Sequence, residues 1–263
     1  MGARRRLDAE LVRRGLATSR AEAASAVEAG LVTVAGAPAL KSSRLVAADE
    51  AVVLAGPPRR FVSRGGEKLD GALTRFGVDV VGRRALDAGS STGGFTDCLL
   101  QRGAAHVVAV DVGHHQLHER LRVDARVTVR EGLNVRHADA GDLGAPFDVV
   151  VADLSFISLR TVAATLVGLV RPGGALVWLV KPQFEAGRAE VSKGRGVVRD
   201  PQTRVRVRDE IDLHLRTLGA HVHGWMDSPL PGPAGNVELL VYATVEDGPM
   251  TPNPNPLTDG SDR

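Results

Sequence analysis

Arg84-Ala-Leu-Asp-Ala-Gly-Ser-Ser-Thr-Gly-Gly-Phe-Thr96 decides the fold of this chain. A short apolar run ends in Asp87-Ala88-Gly89, a loop of small residues follows, and an apolar helical pattern runs from Phe95 to Gln101. That succession reads as strand, tight turn and helix start. Glycines at 89, 93 and 94 allow the backbone to approach a ligand closely, and a helix N-terminus offers unpaired N–H groups to an anion. The dinucleotide spacing G-x-G-x-x-G is not met. An acidic residue for ribose hydroxyls is expected about 20 residues further on, and Asp111 closes the next apolar run, His106-Val-Val-Ala-Val-Asp111. Taken alone, the loop also suits a glycine-rich turn of some other α/β protein.

Outward from this stretch, strands and helices alternate. Strands are expected at 84–88, 106–111, 126–130, 147–152 and 174–180, and helices at 94–102, near 115–121 and at 158–169. Such alternation predicts a parallel sheet with helices on both faces. Asp200-Pro201 supplies a cap and first-turn proline for a helix to about Leu218, and late strands near His221–Met226 and Val237–Val245 suit an antiparallel edge. Ser63-Arg-Gly-Gly-Glu-Lys-Leu69 opens a helix carrying Leu69, Leu73 and Phe76. Nearer the start, a helical pattern runs from Arg4 with Leu7, Leu11 and Val12 on one stripe and Gly15 as its stop. Ser19-Arg20-Ala21-Glu22 reads as a capping box for a second helix to Gly30, and strands follow at Leu31–Val34 and Ala51–Leu54. The expected organisation is a small α+β domain at 1–56, a stiff basic linker at 57–62, an α/β domain at 63–246 and a disordered tail at 247–263.

Net charge is only +2, but residues 1–60 hold ten Lys/Arg against six Asp/Glu, while the remainder holds 23 against 25. A basic module on a near-neutral body points to a polyanion such as nucleic acid, although a solvated basic surface has the same composition. The single cysteine, Cys98, excludes an internal disulfide and a multi-cysteine metal site. No apolar run reaches the ~18–20 residues of a membrane span, and Met-Gly-Ala-Arg-Arg-Arg is followed by no apolar signal core. A cytoplasmic protein without membrane attachment is expected.

Four charged residues stand at or just outside expected strand ends, where open α/β sheets bind ligands: Lys68, Asp153, Lys181 and Glu238. Each alone also suits a solvated strand end. The chain has 29 arginines and only four lysines, of which two belong to this group. Arginine stays protonated at any working pH, whereas lysine can give up its proton, so retained lysines point to proton chemistry.

Two patterns resemble known modules. D-x-G-S-x-T-G-G-F resembles the S-adenosylmethionine loop of Rossmann-like methyltransferases, which implies cofactor contacts from Asp87, Gly89, Ser90, Ser91, Thr92, Gly93, Gly94 and Phe95, together with Asp111, Asp153 and Asn134. R-x-D-x-x-L-V-x-R-G-L-A-x-S-R-x-x-A, followed by G-L-V-x-V-x-G, resembles the αL RNA-binding motif. That likeness, with the basic linker, implies phosphate contacts from Arg4, Arg5, Arg13, Arg14, Ser19, Arg20, Arg60 and Arg64; a solvated helical hairpin is the other reading. Residues 4–245 as a whole resemble the TlyA family, an αL domain joined to an FtsJ-like ribose 2′-O-methyltransferase. Besides the loop, Ala152-Asp-Leu-Ser-Phe-Ile-Ser-Leu, Val180-Lys-Pro-Gln-Phe-Glu and Leu230-Pro-Gly-Pro-Ala-Gly-Asn-Val-Glu238 carry this likeness.

The resemblance implies a Rossmann-like, S-adenosylmethionine-dependent fold with a small N-terminal α+β RNA-binding domain. It implies methylation of cytidine 2′-OH in 16S and/or 23S rRNA of assembled ribosomal subunits, no metal, a monomer, and a link to sensitivity toward ribosome-binding peptide antibiotics. Its K-D-K-E pattern falls on Lys68, Asp153, Lys181 and Glu238, with Lys181 at the hydroxyl proton, Lys68 as a nearby like charge, Glu238 steering Lys181 and Asp153 orienting it. An RNA-binding ribosome assembly factor and a haemolysin-like activity are the alternatives. One departure stands after Asp111-Val-Gly113: His114 and His115, with His118 a turn on, where the family has an aromatic residue and a glycine. The run Gly187–Arg199, with Arg188, Lys193, Arg195 and Arg199, suits an RNA-facing loop or an inert one.

Overall fold

Continuous apolar runs without period-2 alternation become strands buried on both faces. The computed structural model describes residues 4–17, 19–55, 60–187, 190–191, 194, 196–232 and 234–246. Linker residues 57–59, the tail from Asp247, and Arg188, Lys193 and Arg195 lie outside them. Two compact units divide between Ser63 and Arg64.

In the first unit, β1 (Arg5–Arg6) leads into α1 (Leu7–Arg13), and α2 (Arg20–Glu28) follows. The Ser19 hydroxyl accepts from the Glu22 N–H at 3.2 Å, as the capping-box spacing requires. Strands β2 (Val32–Val34), β3 (Ala37–Pro38), β4 (Leu45–Val46) and β5 (Val52–Leu54) complete the unit. Leu7, Leu11, Ala23, Val27, Val32 and Val34 form its core. The helix expected from Arg4 starts three residues later, because Arg5 and Arg6 are extended and pair antiparallel with β4.

The second unit begins with α3 (Arg64–Phe76) and continues through β6 (Arg84–Ala88), α4 (Gly94–Gln101), β7 (His106–Asp111), α5 (Glu119–Arg122) and β8 (Val127–Glu131). After a 3₁₀ turn at Val135–His137 come α6 (Ala140–Leu143), β9 (Phe147–Ala152), α7 (Leu159–Gly168), β10 (Val170–Val180) and α8 (Pro182–Glu185). Helix α9 (Pro201–Thr217), capped by Asp200, then leads to β11 (Ala220–Asp227) and β12 (Leu239–Val245). The sheet order is β11-β12-β10-β9-β6-β7-β8. All pairs among the last five are parallel, and β12 runs antiparallel to both β10 and β11.

Alternation across the sheet builds two cores. Leu86, Val108, Val150, Leu176 and Trp178 pack with α7 and α9 residues such as Val162, Leu166, Val207 and Ile211. The opposite face carries the buried Ala85, Val107, Val149 and Leu179 and is covered by α3 and α4. Connections from β6 diverge, so the crevice at the carboxyl ends of β6 and β9 is the topological switch point where ligands bind.

The helix expected near 115–121 shrinks to one turn. His115 sits at φ +55°, and the N–H groups of His115, Gln116 and Leu117 donate to the Glu131 carboxylate instead of to helix carbonyls. Gly93 also differs from expectation. At φ +97° it faces Leu117 and Leu121, and an added Cβ would stand 2.3 Å from Leu121 Cδ1 and 2.8 Å from Leu117 Cδ1. Its missing side chain serves backbone conformation and packing against these two leucines. Gly93→Ala is therefore expected to destabilise the protein by about 1–3 kcal/mol, the usual cost of strained backbone, plus any repacking of the leucines. A thermal melt matching wild type would contradict this account of the turn.

Candidate active site

Gly89 brings the first and fourth parallel strands together. At φ +85° its missing Cβ would lie 2.6 Å from the Asp153 carbonyl oxygen, and the Asp153 N–H donates to the Ala88 carbonyl at 3.0 Å. This contact fixes Asp153 just beyond β9. Lys181, just beyond the adjacent β10, places its Nζ 2.6 Å from Asp153 Oδ1 and donates to Ser155 Oγ at 2.8 Å. Its ammonium also lies 6.0 Å from the centroid of the Phe184 ring.

The other two members of the tetrad pair with each other. Lys68 Nζ donates to Glu238 Oε2 at 2.5 Å, with side chains 8% and 1% exposed. Because β12 is reversed, Leu239 pairs with Val180, and Glu238 arrives at the same sheet end as Lys181. The expected steering of Lys181 by Glu238 is thus not what the structure has: Glu238 is matched to Lys68, and Asp153 with Ser155 holds Lys181. Glu238 Oε1 is buried without a hydrogen-bond partner among the described residues. Gly232 lies against it, where a Cβ would be 2.5 Å away.

A pocket of about 540 Å³ opens at this end, lined among others by Gly89, Ser91, Asp111, Asn134 and Asp153. Both Asp111 oxygens accept backbone N–H groups, Oδ2 from Ser91 at 2.8 Å and Oδ1 from Gly113 at 2.7 Å, which ties the glycine loop to the turn after β7. Asn134 lines the pocket and caps the 3₁₀ turn through Arg136 N. Ser90, Gly93, Gly94 and Phe95 are buried in the turn and first turn of α4, and the Thr92 carbonyl accepts from His118 N. Sequence reading missed Val112, Gln116, Leu133, Ser155 and Phe156, which also line the pocket. They sit on irregular turns, where no periodicity marks them. His118 is the N-cap of α5 rather than a member of a helix shared with His114, whose ring packs over Gly132.

Four arginines of the first unit, Arg6, Arg13, Arg14 and Arg20, are arranged by two buried carboxylates. Asp8 accepts from Arg6 at 3.1 and 2.9 Å and from Arg20 at 3.1 Å. Glu10 accepts from Arg13 at 2.8 and 2.5 Å and from Arg14 at 2.7 Å. Arg6, Arg13 and Arg20 keep about half their side-chain surface or more (48, 51 and 60%). Arg14, only 20% exposed, also donates to the carbonyls of Glu50, Ala47 and Ala48, so it works as a staple between helix and loop. Arg4 and Arg5 are exposed on the extended segment, and the Arg60 guanidinium stands 4.7 Å over the Phe61 ring. In the second unit, Arg64 donates to the Pro231 carbonyl at 3.0 Å.

Asp87 lies beneath the pocket, fully buried, with Oδ2 accepting from Thr96 Oγ1 at 2.6 Å and Oδ1 without a partner among the described residues. Burial, opposed by the Thr96 bond and reinforced by the negative charges of Asp153 and Asp111, pushes its carboxyl up to about 7. The folded chain holds this proton more tightly than the unfolded chain. This group therefore takes stability away as pH rises from its ordinary 3.8 towards 7. Asp87→Asn keeps the Thr96 bond and removes the charge. Urea midpoints of the variant, measured across that window, are expected to fall less with pH than those of wild type, and parallel profiles would sink the assignment.

The family model for FtsJ-like methyltransferases matches residues 61–244, and that for the S4 domain matches residues 5–52. Over 247 residues the chain is 52% identical to the 16S/23S rRNA (cytidine-2′-O)-methyltransferase TlyA of Mycobacterium tuberculosis, covering 94% of this chain and 92% of that one. Hemolysin A of Brachyspira hyodysenteriae is 37% identical, covering 91% and 100%. Among solved structures, one titled as a hemolysin from Streptococcus thermophilus superposes with a TM-score of 0.77 at 38% identity over 95% of this chain and 91% of that one. An S-adenosylmethionine dependent methyltransferase fold from Listeria monocytogenes, at 16% identity and a TM-score of 0.54 over 70% and 100%, has the same architecture. With an S4 domain ahead of the catalytic sheet and close identity along nearly its whole length, the chain belongs to the TlyA family of FtsJ-like methyltransferases.

Proposed function

We propose that the protein transfers a methyl group from S-adenosylmethionine to the ribose 2′-OH of a cytidine in 16S and/or 23S rRNA, acting as a monomer on assembled ribosomal subunits in the cytoplasm. The observation that carries this reading is the Lys181–Asp153 pair, at 2.6 Å, standing on adjacent strand ends at the mouth of the pocket. The residues present fit the cofactor. Two pocket-lining carboxylates, Asp111 and Asp153, suit a molecule with a cationic end, and the glycine turn leads into the N-terminus of α4. The same proposal gives Ser90, Ser91 and Thr92 contacts to the cofactor's methionine portion, and Asp111 and Asn134 contacts to its adenosine portion.

Bound there, S-adenosylmethionine supplies a methyl group on sulfur that is already an activated leaving group. The chain's own work is to orient a hydroxyl and to move its proton. A 2′-OH is a weak nucleophile until that proton has somewhere to go. Lys181 acts here as the neutral amine, with its two N–H groups turned to Asp153 and Ser155 and its lone pair facing the hydroxyl, whose proton it takes. The buried Lys68–Glu238 pair, with Glu238 Oε1 still able to accept a hydrogen bond, orients the ribose from the other side. The first unit holds the RNA through Arg4, Arg5, Arg6, Arg13 and Arg20 with Ser19, and Arg60 and Arg64 extend that contact.

Lys181→Arg separates proton handling from charge. Arginine keeps the charge and binds phosphate well, but does not release its proton. Single-turnover methyl transfer to ribosomal subunits is expected to fall by roughly 10²–10⁴-fold, as for loss of general acid–base help, with S-adenosylhomocysteine affinity kept. A variant within a few-fold of wild type would make Lys181 an electrostatic anchor instead.

Truncation tests the division of labour. A chain starting near Phe61 is expected to bind S-adenosylhomocysteine yet fail to methylate ribosomes, and subunit binding by the full chain should weaken steeply with salt as phosphate contacts release counterions. Full methylation by the truncated chain would refute the arrangement.

A further inference from the structure

Glu131, the last residue of β8, makes the densest set of side-chain contacts near the pocket without lining it. Oε2 accepts the N–H of His115 at 2.8 Å, and Oε1 accepts those of Gln116 at 3.0 Å and Leu117 at 3.3 Å. Arg122 Nη2 completes the set at 2.6 Å from Oε1. Burial opposes the charged form here, yet the bonds from His115, Leu117, Arg122 and Gln116 outweigh it and hold the carboxyl down at about 2. The group is therefore an anion throughout the working pH range, and its charge is spent on backbone.

That backbone is strained and connected to the pocket. His115 is at φ +55° and Ser91 at φ +46°, conformations that non-glycine residues adopt only when their surroundings enforce them. The Gln116 side chain crosses from one strained turn to the other. Its Nε2 lies over Gly113, where a Cβ would be 1.9 Å away, and its Oε1 accepts from Ser91 Oγ at 3.2 Å. Ser91 and Gly113 are the two residues whose N–H groups bind Asp111. Gln116, Ser91 and Asp111 all line the pocket, so the carboxylate on β8 reaches the pocket wall through one short loop.

We propose that Glu131 is a positioning residue for cofactor recognition, clamping the 113–117 loop so that Gln116 closes the pocket rim against Ser91 and itself contacts the bound cofactor. This rests on the reading of the pocket as an S-adenosylmethionine site. A substrate-facing carboxylate needs an open lone pair directed at its ligand; Glu131 has its acceptors turned to backbone and Arg122, so its effect passes through Gln116. A consequence is that the clamp acts on cofactor affinity and leaves proton transfer at Lys181 untouched.

Three readouts test it in the full-length protein. Hydrogen exchange of the 115–117 amides needs no cofactor, and Glu131→Gln is expected to speed it at least about tenfold, because a neutral amide cannot accept three N–H groups and an arginine. Calorimetry with S-adenosylhomocysteine is expected to show about tenfold weaker binding for Glu131→Gln and for Gln116→Ala, a change of one decade. At saturating S-adenosylmethionine, kcat of Glu131→Gln should stay within about twofold while its KM for the cofactor rises, the pattern of lost uniform binding. Unchanged exchange in Glu131→Gln would overturn the clamp, as would global unfolding of that variant, since the role assigned is local. Wild-type affinity in Gln116→Ala would overturn the contact. Failure of the wild-type protein to bind S-adenosylhomocysteine would instead sink the cofactor reading, and the exchange comparison would still judge the clamp.

Discussion

The closeness of β6 and β9 at their carboxyl ends is the constraint on which the site depends. The Asp153 N–H must reach the Ala88 carbonyl while its own carbonyl passes the Cα of Gly89, and only a residue without Cβ leaves room. Shift this contact and Asp153 moves with it. Lys181 then loses the partner that fixes its ammonium, because the other bond it makes goes to Ser155 on the same turn. The pocket, the acid and the lysine are in this sense one mechanical unit, and its pivot is a glycine.

Charge in this unit is arranged by pairing rather than by accumulation. Each tetrad lysine has its own carboxylate, Lys68 with Glu238 and Lys181 with Asp153. A buried ion pair contributes little net stability on average, because desolvation offsets attraction, but breaking one partner is costly. The buried Lys68–Glu238 pair is thus a poor source of folding stability and makes sense as preorganised chemistry. Asp87 has no basic partner of this kind: its carboxyl is buried, with one oxygen unmatched among the described residues and two acidic neighbours.

Much of this was legible in the sequence wherever a rule of spacing applied. The strands at 84–88, 106–111 and 147–152 coincide with β6, β7 and β9, because continuous Val/Ala runs bounded by Asp, Gly or Phe admit few other solutions. Asp200-Pro201 and Ser19 capped the helices they were expected to cap. What escaped lies where side chains substitute for backbone partners. The 115–117 segment has a helical pattern, but Glu131, fourteen or more residues away, takes its N–H groups. Arg14 has the look of a phosphate ligand in a basic helix, and only the fold shows its donors spent on three loop carbonyls. The pairing within the tetrad was also out of reach: strand ends identified the four residues, while the choice of partner depends on the reversed β12.

The reversal of β12 also bears on the order in which the molecule acquires its parts during synthesis. The pocket wall is drawn from residues 89 to 157, a stretch finished well before Glu238 is made. Lys68 leaves the ribosome early but waits for Glu238, 170 residues later, whose strand slots between β10 and β11. A nascent chain therefore has its basic first unit and most of its pocket before it has a complete reactive end. The ion pair between Lys68 and Glu238 therefore forms only once the residue that leads into the last strand has been made.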